Sequence, residues 1–190
     1  GNTAYFSAND NGAGDKVWRS DGTLSGTYSI ENMYGFSLAP YNGKLLFSAN
    51  SGFWITDGGI GTAQLLFGSY FYGGTDVNGD FYAIGLSSII RTDGTQSGTR
   101  EVAQIGPTTM FGHFPVINNK IITAFNPSGI DRSSQEIGIF DIAGETISQL
   151  KEIKNGPLGS LPRSWVTIND RVLFLADDGV HGLEIWETNG

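Results

Sequence analysis

A turn phrase that returns every 36 residues constrains this chain more than any other feature of its sequence. The phrase occurs as VWRSDGTLSGT (17–27), FWITDGGIGT (53–62) and IIRTDGTQSGT (89–99). Its aspartates, Asp21, Asp57 and Asp93, therefore occupy one column of a tandem repeat. Repeats of this length are typical of architectures in which each unit is one supersecondary element that buries its core against its neighbours.

Asparagine-rich dipeptides mark where each unit begins. They are Asn42-Gly43, Asn78-Gly79, Asn118-Asn119 and Asn169-Asp170. The predicted units run 1–41, 42–77, 78–117 and 118–168, followed by a half unit at 169–190. Because residues 1–22 align with 169–190 and begin inside a strand pattern, we expect the chain to be an excerpt of a longer protein. Flanking repeats of the same chain, or another copy, are then the expected partners for its strand edges.

Each unit contains short runs rich in β-branched and aromatic residues, bounded by glycine, asparagine and aspartate. In the second unit these runs are KLLFSA (44–49), FWIT (53–56), TAQLLF (62–67) and a run ending at Val77. No segment has a sustained helical period, and Asp-Gly pairs favour hairpin turns because glycine accepts a positive φ. We predict an all-β, β-propeller-type fold of tandem four-stranded blades in a single repeat domain. A β-solenoid is the alternative, although its rungs are usually shorter than this repeat.

Composition and charge exclude several other classes of protein. The chain has no cysteine, so disulfides and thiolate chemistry are excluded. Lys and Arg number 11 against 19 Asp and Glu, a net charge of −8, whereas nucleic-acid binding requires a basic surface. No stretch approaches the ~20 apolar residues of a membrane helix. We therefore expect neither a nucleic-acid partner nor a membrane span.

The repeat resembles a known family. VWRSDGTLSGT, IIRTDGTQSGT and the final EIWETNG are similar to the ELWxxDGTxxGT repeat of large secreted bacterial proteins, and LADDGVHGLEIWETNG (175–190) is especially so. The resemblance covers nearly the whole chain, although the second unit loses one residue in its turn and the fourth lacks the Asp-Gly-Thr sequence. It implies a propeller-like module located outside the cell or at its surface, and it brings no catalytic residues.

Two columns of the repeat are predicted to be structural. One column, three positions before the turn residue Asp or Asn, holds Trp18, Trp54, Ile90 and Trp186. Because tryptophan and isoleucine share it, we predict packing between neighbouring blades and not ligand stacking. The turn aspartates Asp21, Asp57 and Asp93 are predicted to accept backbone N–H groups of their own turns.

Two acidic loops are candidates for a calcium site. Calcium takes six to eight oxygen ligands from flexible loops, and the segments 9–15 and 177–184 are rich in such oxygens. The candidate ligands are Asp10, Asp15, Asp177 and Asp178, with ordinary solvated turn chemistry as the alternative. The two histidines, His113 and His181, lie in unlike contexts and do not predict a zinc site.

The loops at one end of the blades are candidates for ligand binding. In an antiparallel blade, the turns between the second and third strands and the Asn-Gly turns lie at one end, and they are short and uniform. The opposite end carries the variable loops and several aromatic residues, and function is found preferentially in such loops. The predicted ligand-binding residues are Tyr70, Phe71, Tyr72 and Phe111, unless these rings cover blade edges instead.

The leading functional hypothesis is therefore a non-enzymatic extracellular module for binding or adhesion that recognises glycans or surface polymers. Aromatic rings beside Asp and Asn side chains offer stacking together with hydrogen bonds, and no phosphate-binding loop or nucleophile–base motif occurs in the sequence. The alternatives are a propeller-type carbohydrate-active hydrolase and a self-assembling structural spacer. No cofactor other than calcium is predicted.

Overall fold

The structure is a computed structural model that describes residues 2–10, 14–50, 52–107, 113–126, 129 and 132–190. Within these ranges the chain forms 18 β-strands, and its only helical segment is a single 3-10 turn, Arg132–Ser134. All strand pairs are antiparallel, and the strands form five sheets in chain order. The all-β prediction is confirmed. No helix of the described residues has the length and apolar character needed to cross a membrane.

The two outer sheets have three strands and the three inner sheets have four. Sheet 1 contains β1 (Ala4–Asn9), β2 (Asp15–Ser20) and β3 (Tyr28–Glu31). Sheet 2 contains β4 (Phe36–Tyr41), β5 (Lys44–Ala49), β6 (Gly52–Thr56) and β7 (Gln64–Phe67). Sheet 3 contains β8 (Phe71–Val77), β9 (Asp80–Gly85), β10 (Ser88–Thr92) and β11 (Arg100–Gln104). Sheet 4 contains β12 (Val116–Ile117), β13 (Lys120–Phe125), β14 (Glu136–Asp141) and β15 (Thr146–Lys151), and sheet 5 contains β16 (Arg163–Ile168), β17 (Arg171–Asp177) and β18 (Leu183–Thr188).

The sheets divide the chain one strand earlier than the sequence units do. Asn42-Gly43 joins β4 to β5 within sheet 2, where Tyr41 pairs with Lys44. Both turn residues have positive φ, 47° and 74°, as a two-residue hairpin turn requires. The limits predicted at 42, 78, 118 and 169 therefore lie within sheets, because each Asn turn closes a hairpin and does not connect two sheets.

The Asn turns and the repeated aspartate turns lie at the same end of the antiparallel sheets, which we call the turn end. The hydroxyl of Tyr41 donates a hydrogen bond to the carbonyl of Gly79, 2.5 Å away. The side-chain amide of Asn78 donates to the side-chain oxygen of Asn119 at 3.0 Å. The opposite end, which we call the loop end, carries the connections between sheets.

Neighbouring sheets pack face to face through four apolar clusters. Between sheets 1 and 2, Val17 and Ile30 pack against Phe47. Between sheets 2 and 3, the packing includes Leu46 and Phe53 on one side and Ile90 on the other. Two further clusters join sheet 3 to sheet 4 and sheet 4 to sheet 5. Among the described residues, no cluster joins sheet 5 back to sheet 1.

The column of tryptophan and isoleucine lies at one position in the sheets. Its cross-strand pairs are Phe6 with Trp18, Phe47 with Trp54, Ala83 with Ile90 and Phe174 with Trp186. Trp54, Ile90 and Trp186 contribute to the cluster shared with the preceding sheet. Trp18 has no described sheet before it and stacks on Phe6, with ring centroids 6.4 Å apart.

The repeated turn is built by its aspartate. In the third copy, Asp93 Oδ1 accepts the backbone N–H of Thr95 at 2.9 Å and the Thr95 hydroxyl at 2.7 Å. Asp21 makes the same two bonds with Thr23. The shortened second copy uses Asp57, which accepts the Gly59 N–H and the Thr62 hydroxyl. The threonine hydroxyl, followed by the backbone N–H, lowers the pKa of each of these carboxyl groups.

The two glycines of the phrase have separate roles. The first, Gly94 in the third copy, has a φ of +86° that an L side chain rarely adopts. The second, Gly98, approaches the aspartate so closely that a Cβ there would lie 2.1 Å from Asp93 Oδ1. The phrase therefore specifies a turn, and its recurrence reflects geometry and not repeated chemistry.

The second glycine can be tested by substitution. We expect Gly98→Ala to lower the free energy of unfolding by more than about 1 kcal/mol, because the new Cβ displaces the Asp93 carboxylate from its turn. Gly68→Ala is the matched control: Gly68 is exposed, has an ordinary φ, and would carry a Cβ with no other atom within 4 Å. Denaturant unfolding measures both, and equal stabilities of the two variants would contradict the role assigned to Gly98.

The column between the sheets can be tested at its fully buried member. We expect Ile90→Ala to cost roughly 2–5 kcal/mol of unfolding free energy, because it leaves a cavity between sheets 2 and 3. Ile60→Ala serves as control, since Ile60 is 74% exposed in a turn and should change stability by less than about 0.5 kcal/mol. A loss at Ile90 no larger than that at Ile60 would rule out inter-sheet packing as its role.

Candidate functional site

A groove runs between the first strands of sheets 2 and 3. The strands β4 and β8 contact each other, and the groove beside them has a volume of about 390 Å³. Its walls are formed by residues 37–40 and 71–76, together with Phe81 and His113. The lining is mainly apolar, as is usual for binding sites that take organic ligands.

Four aromatic rings gather where this groove reaches the loop end. Phe36 lies at their centre, with ring centroids 5.9 Å from Tyr34, 5.2 Å from Tyr70 and 6.4 Å from Tyr72. Tyr34 is 55% exposed and the other three are half-buried. We call Tyr34, Phe36, Tyr70 and Tyr72 the aromatic cluster. Tyr34 and Tyr70 lie in the connections that enter sheets 2 and 3, and Phe36 and Tyr72 lie at the starts of β4 and β8.

Phe71 does not belong to the aromatic cluster. Its side chain is fully buried, with its ring centroid 4.5 Å from that of Phe53 and 6.1 Å from that of Phe81. Successive residues of a strand point to opposite faces, so the core takes Phe71 while Tyr70 and Tyr72 remain on the other side. Phe71, predicted to bind a ligand, is therefore a core side chain and not a stacking surface, although residue 71 contributes to the wall of the groove. Phe111, predicted with it, lies outside the described residues.

Tyr34 and Phe36 are aromatic residues of the variable loop end, but the predicted set of ligand-binding residues omits both. The signal for them is the repeat itself, because Tyr34-Gly35-Phe36 precedes Tyr70-Phe71-Tyr72 by one period of 36 residues. Equivalent positions of successive repeats lie on neighbouring sheets. Aromatic residues that recur at the period are thus brought side by side.

Polar groups stand along the same groove. Ser37, Thr75, Asp76 and His113 contribute to the lining, and Asp76 and His113 are exposed. A hydroxyl, a carboxylate and an imidazole within an apolar groove can fix the orientation of a ligand by hydrogen bonding. The rings offer flat surfaces for stacking, and the tyrosines add hydroxyl groups.

The predicted calcium ligands lie in or beside strands of sheets 1 and 5, the two outer sheets, and Asp10, Asp177 and Asp178 contact other partners. Asp10 Oδ2 lies 2.7 Å from Lys16 Nζ. Asp177 Oδ2 lies 2.8 Å from Lys154 Nζ, and this bond, followed by that from the Gly179 N–H, lowers the pKa of Asp177. Asp15 is exposed at the start of β2. A lysine ammonium already compensates the charge of one carboxylate in each predicted loop, Asp10 and Asp177, which disfavours calcium, an ion that takes six to eight oxygen ligands.

Asp178 closes its own loop. Its Oδ1 accepts the backbone N–H groups of Val180 and His181, both at 2.8 Å, and its Oδ2 lies 2.8 Å from His181 Nδ1. The backbone and ring bonds from His181 are the main causes that lower the pKa of Asp178 to about 2. Ligand atoms of Asp178, His181 and Glu184 lie within 4.8 Å of one another. The nitrogen in this group suits a transition metal and not calcium.

A buried carboxylate that the sequence does not single out anchors the loop end of sheet 4. Glu136 is 4% exposed and accepts hydrogen bonds from the backbone N–H groups of Ile153, Lys154 and Ser160. The Ser160 hydroxyl adds a fourth bond at 2.6 Å. These bonds hold the connection between β15 and β16 against the first residue of β14.

Comparison with known proteins bears on the fold alone. No known family and no curated protein matches the chain in sequence. Among solved structures, the computationally designed Ika8 protein is similar with a TM-score of 0.57 and 13% identity over 100% of this chain and 57% of that one. The AfRom2 CNH domain has a TM-score of 0.55 and 14% identity over 91% of this chain and 55% of its own. A chain of a nidogen/laminin complex has a TM-score of 0.51 and 14% identity over 93% and 68%.

The chain thus spans little more than half of the Ika8 protein and of the CNH domain that it matches. These neighbours have folds of the β-propeller or β-sandwich type. Five antiparallel sheets and these likenesses define an all-β protein of tandem sheets.

The pair of Asp178 and His181 gives a pH-dependent prediction. The hydrogen bond and the charge of Asp178 raise the pKa of His181, so this histidine contributes stability at pH values where Asp178 is ionised and that lie below about 6.5. The contribution is lost as pH rises through the folded-state pKa of His181. We expect Asp178→Asn to bring the His181 pKa back toward about 6.5 in an NMR titration. Asp177→Asn, which alters the neighbouring carboxylate, should leave it nearly unchanged. An unaltered titration of His181 in Asp178→Asn would contradict the pairing.

Proposed function

We propose that this chain is a non-enzymatic, extracellular binding or adhesion module whose sheets are propeller blades and whose aromatic cluster recognises glycans or surface polymers. The observation that carries the proposal is the gathering of Tyr34, Phe36, Tyr70 and Tyr72 at the loop end of the groove between β4 and β8. The serial packing of antiparallel sheets supports the assignment of blades. The similarity of the repeat to secreted bacterial proteins supports the extracellular location.

The chemistry of the cluster suits a sugar. The C–H faces of a pyranose ring stack on aromatic rings, while its hydroxyl groups need donors and acceptors close by. Tyr34 presents the most exposed ring, and Tyr72 lines the groove beside Asp76 and Thr75. A mainly apolar groove with a few polar groups can fix the orientation of a ligand by hydrogen bonding.

The position of the cluster also favours recognition. It lies where connections leave a scaffold that is held rigid by inter-sheet cores, and such loops carry binding residues most often. One groove of this kind binds weakly, and an array of modules on one surface gains strength by multivalency. Calcium is not part of the proposal, because Lys16 and Lys154 already neutralise two of the predicted ligands.

The test is a glycan-array screen followed by calorimetry on the glycans that bind. We expect Tyr34→Ala combined with Tyr72→Ala to weaken binding at least tenfold, because both changes remove stacking surface from the cluster. Tyr72→Phe is the matched control, since it keeps the ring and should retain most of the affinity. Melting temperature should change little, because Tyr34 is exposed and Tyr72 lies outside the inter-sheet clusters.

Three results would contradict the proposal. The first is that no glycan or surface polymer binds. The second is that binding survives the loss of both rings. The third is a collapse of the melting temperature in the double variant, which would make the rings packing residues and would favour a structural spacer.

A further inference from the structure

The two outer sheets each present one face that no other described sheet covers. Sheet 5 packs on sheet 4 through Val172, Phe174 and Ala176 of β17. Because side chains alternate along a strand, the intervening residues point the opposite way. The middle of that opposite face is aliphatic, and it carries Val166, Ile168, Leu173, Leu175, Leu183 and Ile185. Charged residues of the same face surround this patch: Arg163, Asp177 and the ion pair of Arg171 with Glu187. Ile185 is 75% exposed, and Val166 and Ile168 are 50% and 51% exposed.

Sheet 1 has an uncovered face of a different composition. Tyr5, Val17 and Ile30 point toward sheet 2, so Ala4, Phe6 and Trp18 point away from it. The Phe6 and Trp18 rings stack at 16° between planes. The uncovered face of sheet 1 is therefore aromatic, whereas the uncovered face of sheet 5 is aliphatic.

The interior of the molecule shows what each kind of face packs against. We call the face of a sheet that is directed toward the next sheet in the chain its later face, and the opposite face its earlier face. Leu46 and Phe53 lie on the later face of sheet 2, and they pack against the earlier face of sheet 3, which contains Ile90. In the register of the repeat, Leu173 and Ile185 are the counterparts of Leu46 and Phe53, since Phe174 pairs with Trp186 as Phe47 pairs with Trp54.

Trp18 is likewise the counterpart of Ile90. The uncovered face of sheet 5 is therefore a later face, which within the chain packs against the earlier face of another sheet. The uncovered face of sheet 1 is an earlier face.

We propose that sheet 5 of one copy packs face to face on sheet 1 of a second copy, head to tail. The contact continues the packing already made four times within the chain. Contiguous exposed apolar surface of this kind marks an interaction site, and flat sheet faces pack on other sheets about 10 Å apart. Because the two surfaces differ, the interface is heterologous: further copies extend the array or close it into a ring. The proposal is independent of the glycan site.

The charge of the chain adds a distinguishing property. Each copy carries a net charge of −8, so two copies repel at low ionic strength. Salt screens this repulsion and leaves the apolar contact in place. Association should therefore become tighter as salt rises, whereas a contact made by salt bridges would weaken.

Sedimentation velocity and light scattering over a range of concentrations test the contact. The wild-type chain of 20.4 kDa should gain mass with concentration, and more so at high salt. Ile185→Asp destroys the face of sheet 5, and Trp18→Asp destroys the face of sheet 1, so each variant alone should be a monomer. Mixed in equal amounts they should form a 1:1 dimer and stop, because the intact sheet 5 of one variant meets the intact sheet 1 of the other.

Two further variants serve as a replacement and as a control. Ala4→Arg blocks the face of sheet 1 at an exposed position and replaces Trp18→Asp if circular dichroism shows that the latter is unfolded. Leu24→Asp changes an exposed turn residue outside both faces and should associate like the wild type. A wild-type chain that stays monomeric at every concentration, self-association of Ile185→Asp alone, or failure of the mixture to pair would each overturn the proposal.

Discussion

Each inner sheet of this protein has to bury two faces, and this constraint determines the rest of the structure. The inner sheets carry apolar residues on both sides, so each is stable only between two neighbours. Sheet 2, for example, directs Phe47 toward sheet 1 and Leu46 toward sheet 3 from adjacent positions of one strand. A helix or a solvent-facing sheet would leave one of these residues in water. Serial face-to-face packing is the arrangement that satisfies both.

The repeated turns make this packing possible by fixing which residue meets which neighbour. A slip of one residue in a hairpin would turn every side chain to the opposite face. The Asn-Gly turns and the aspartate-centred turns prevent it at one end of the sheets, where their hydrogen bonds allow little choice of length. The connections at the loop end do not have to fix the register of a hairpin in this way. These connections vary, and the aromatic cluster and the Glu136 anchor both occur there.

Much of this could be predicted from the sequence, and the failures have identifiable causes. Strand content, turn sites and the tryptophan–isoleucine column follow from local pattern, because they depend on alternation and on glycine geometry. The grouping of strands into sheets does not, since an Asn-Gly turn looks the same within a sheet as between two. In Tyr70-Phe71-Tyr72 all three residues are aromatic, so the pattern cannot tell which one the core takes. The partner of Asp177 is Lys154, 23 residues away, and only folding brings that lysine close.

The aromatic cluster is formed by residues of two successive repeats. Duplication of a single repeat therefore copies the scaffold without copying the site. Phe36 belongs to one sheet and Tyr70 to the next, so neither repeat contains the cluster by itself. One period further along, the corresponding residues are Gly106-Pro107-Thr108, and the rings are gone. Duplication of a unit would thus lengthen the array while the recognition surface stayed single. A binding surface could equally arise at a new junction through two or three substitutions, without any change to the turns that hold the array in register.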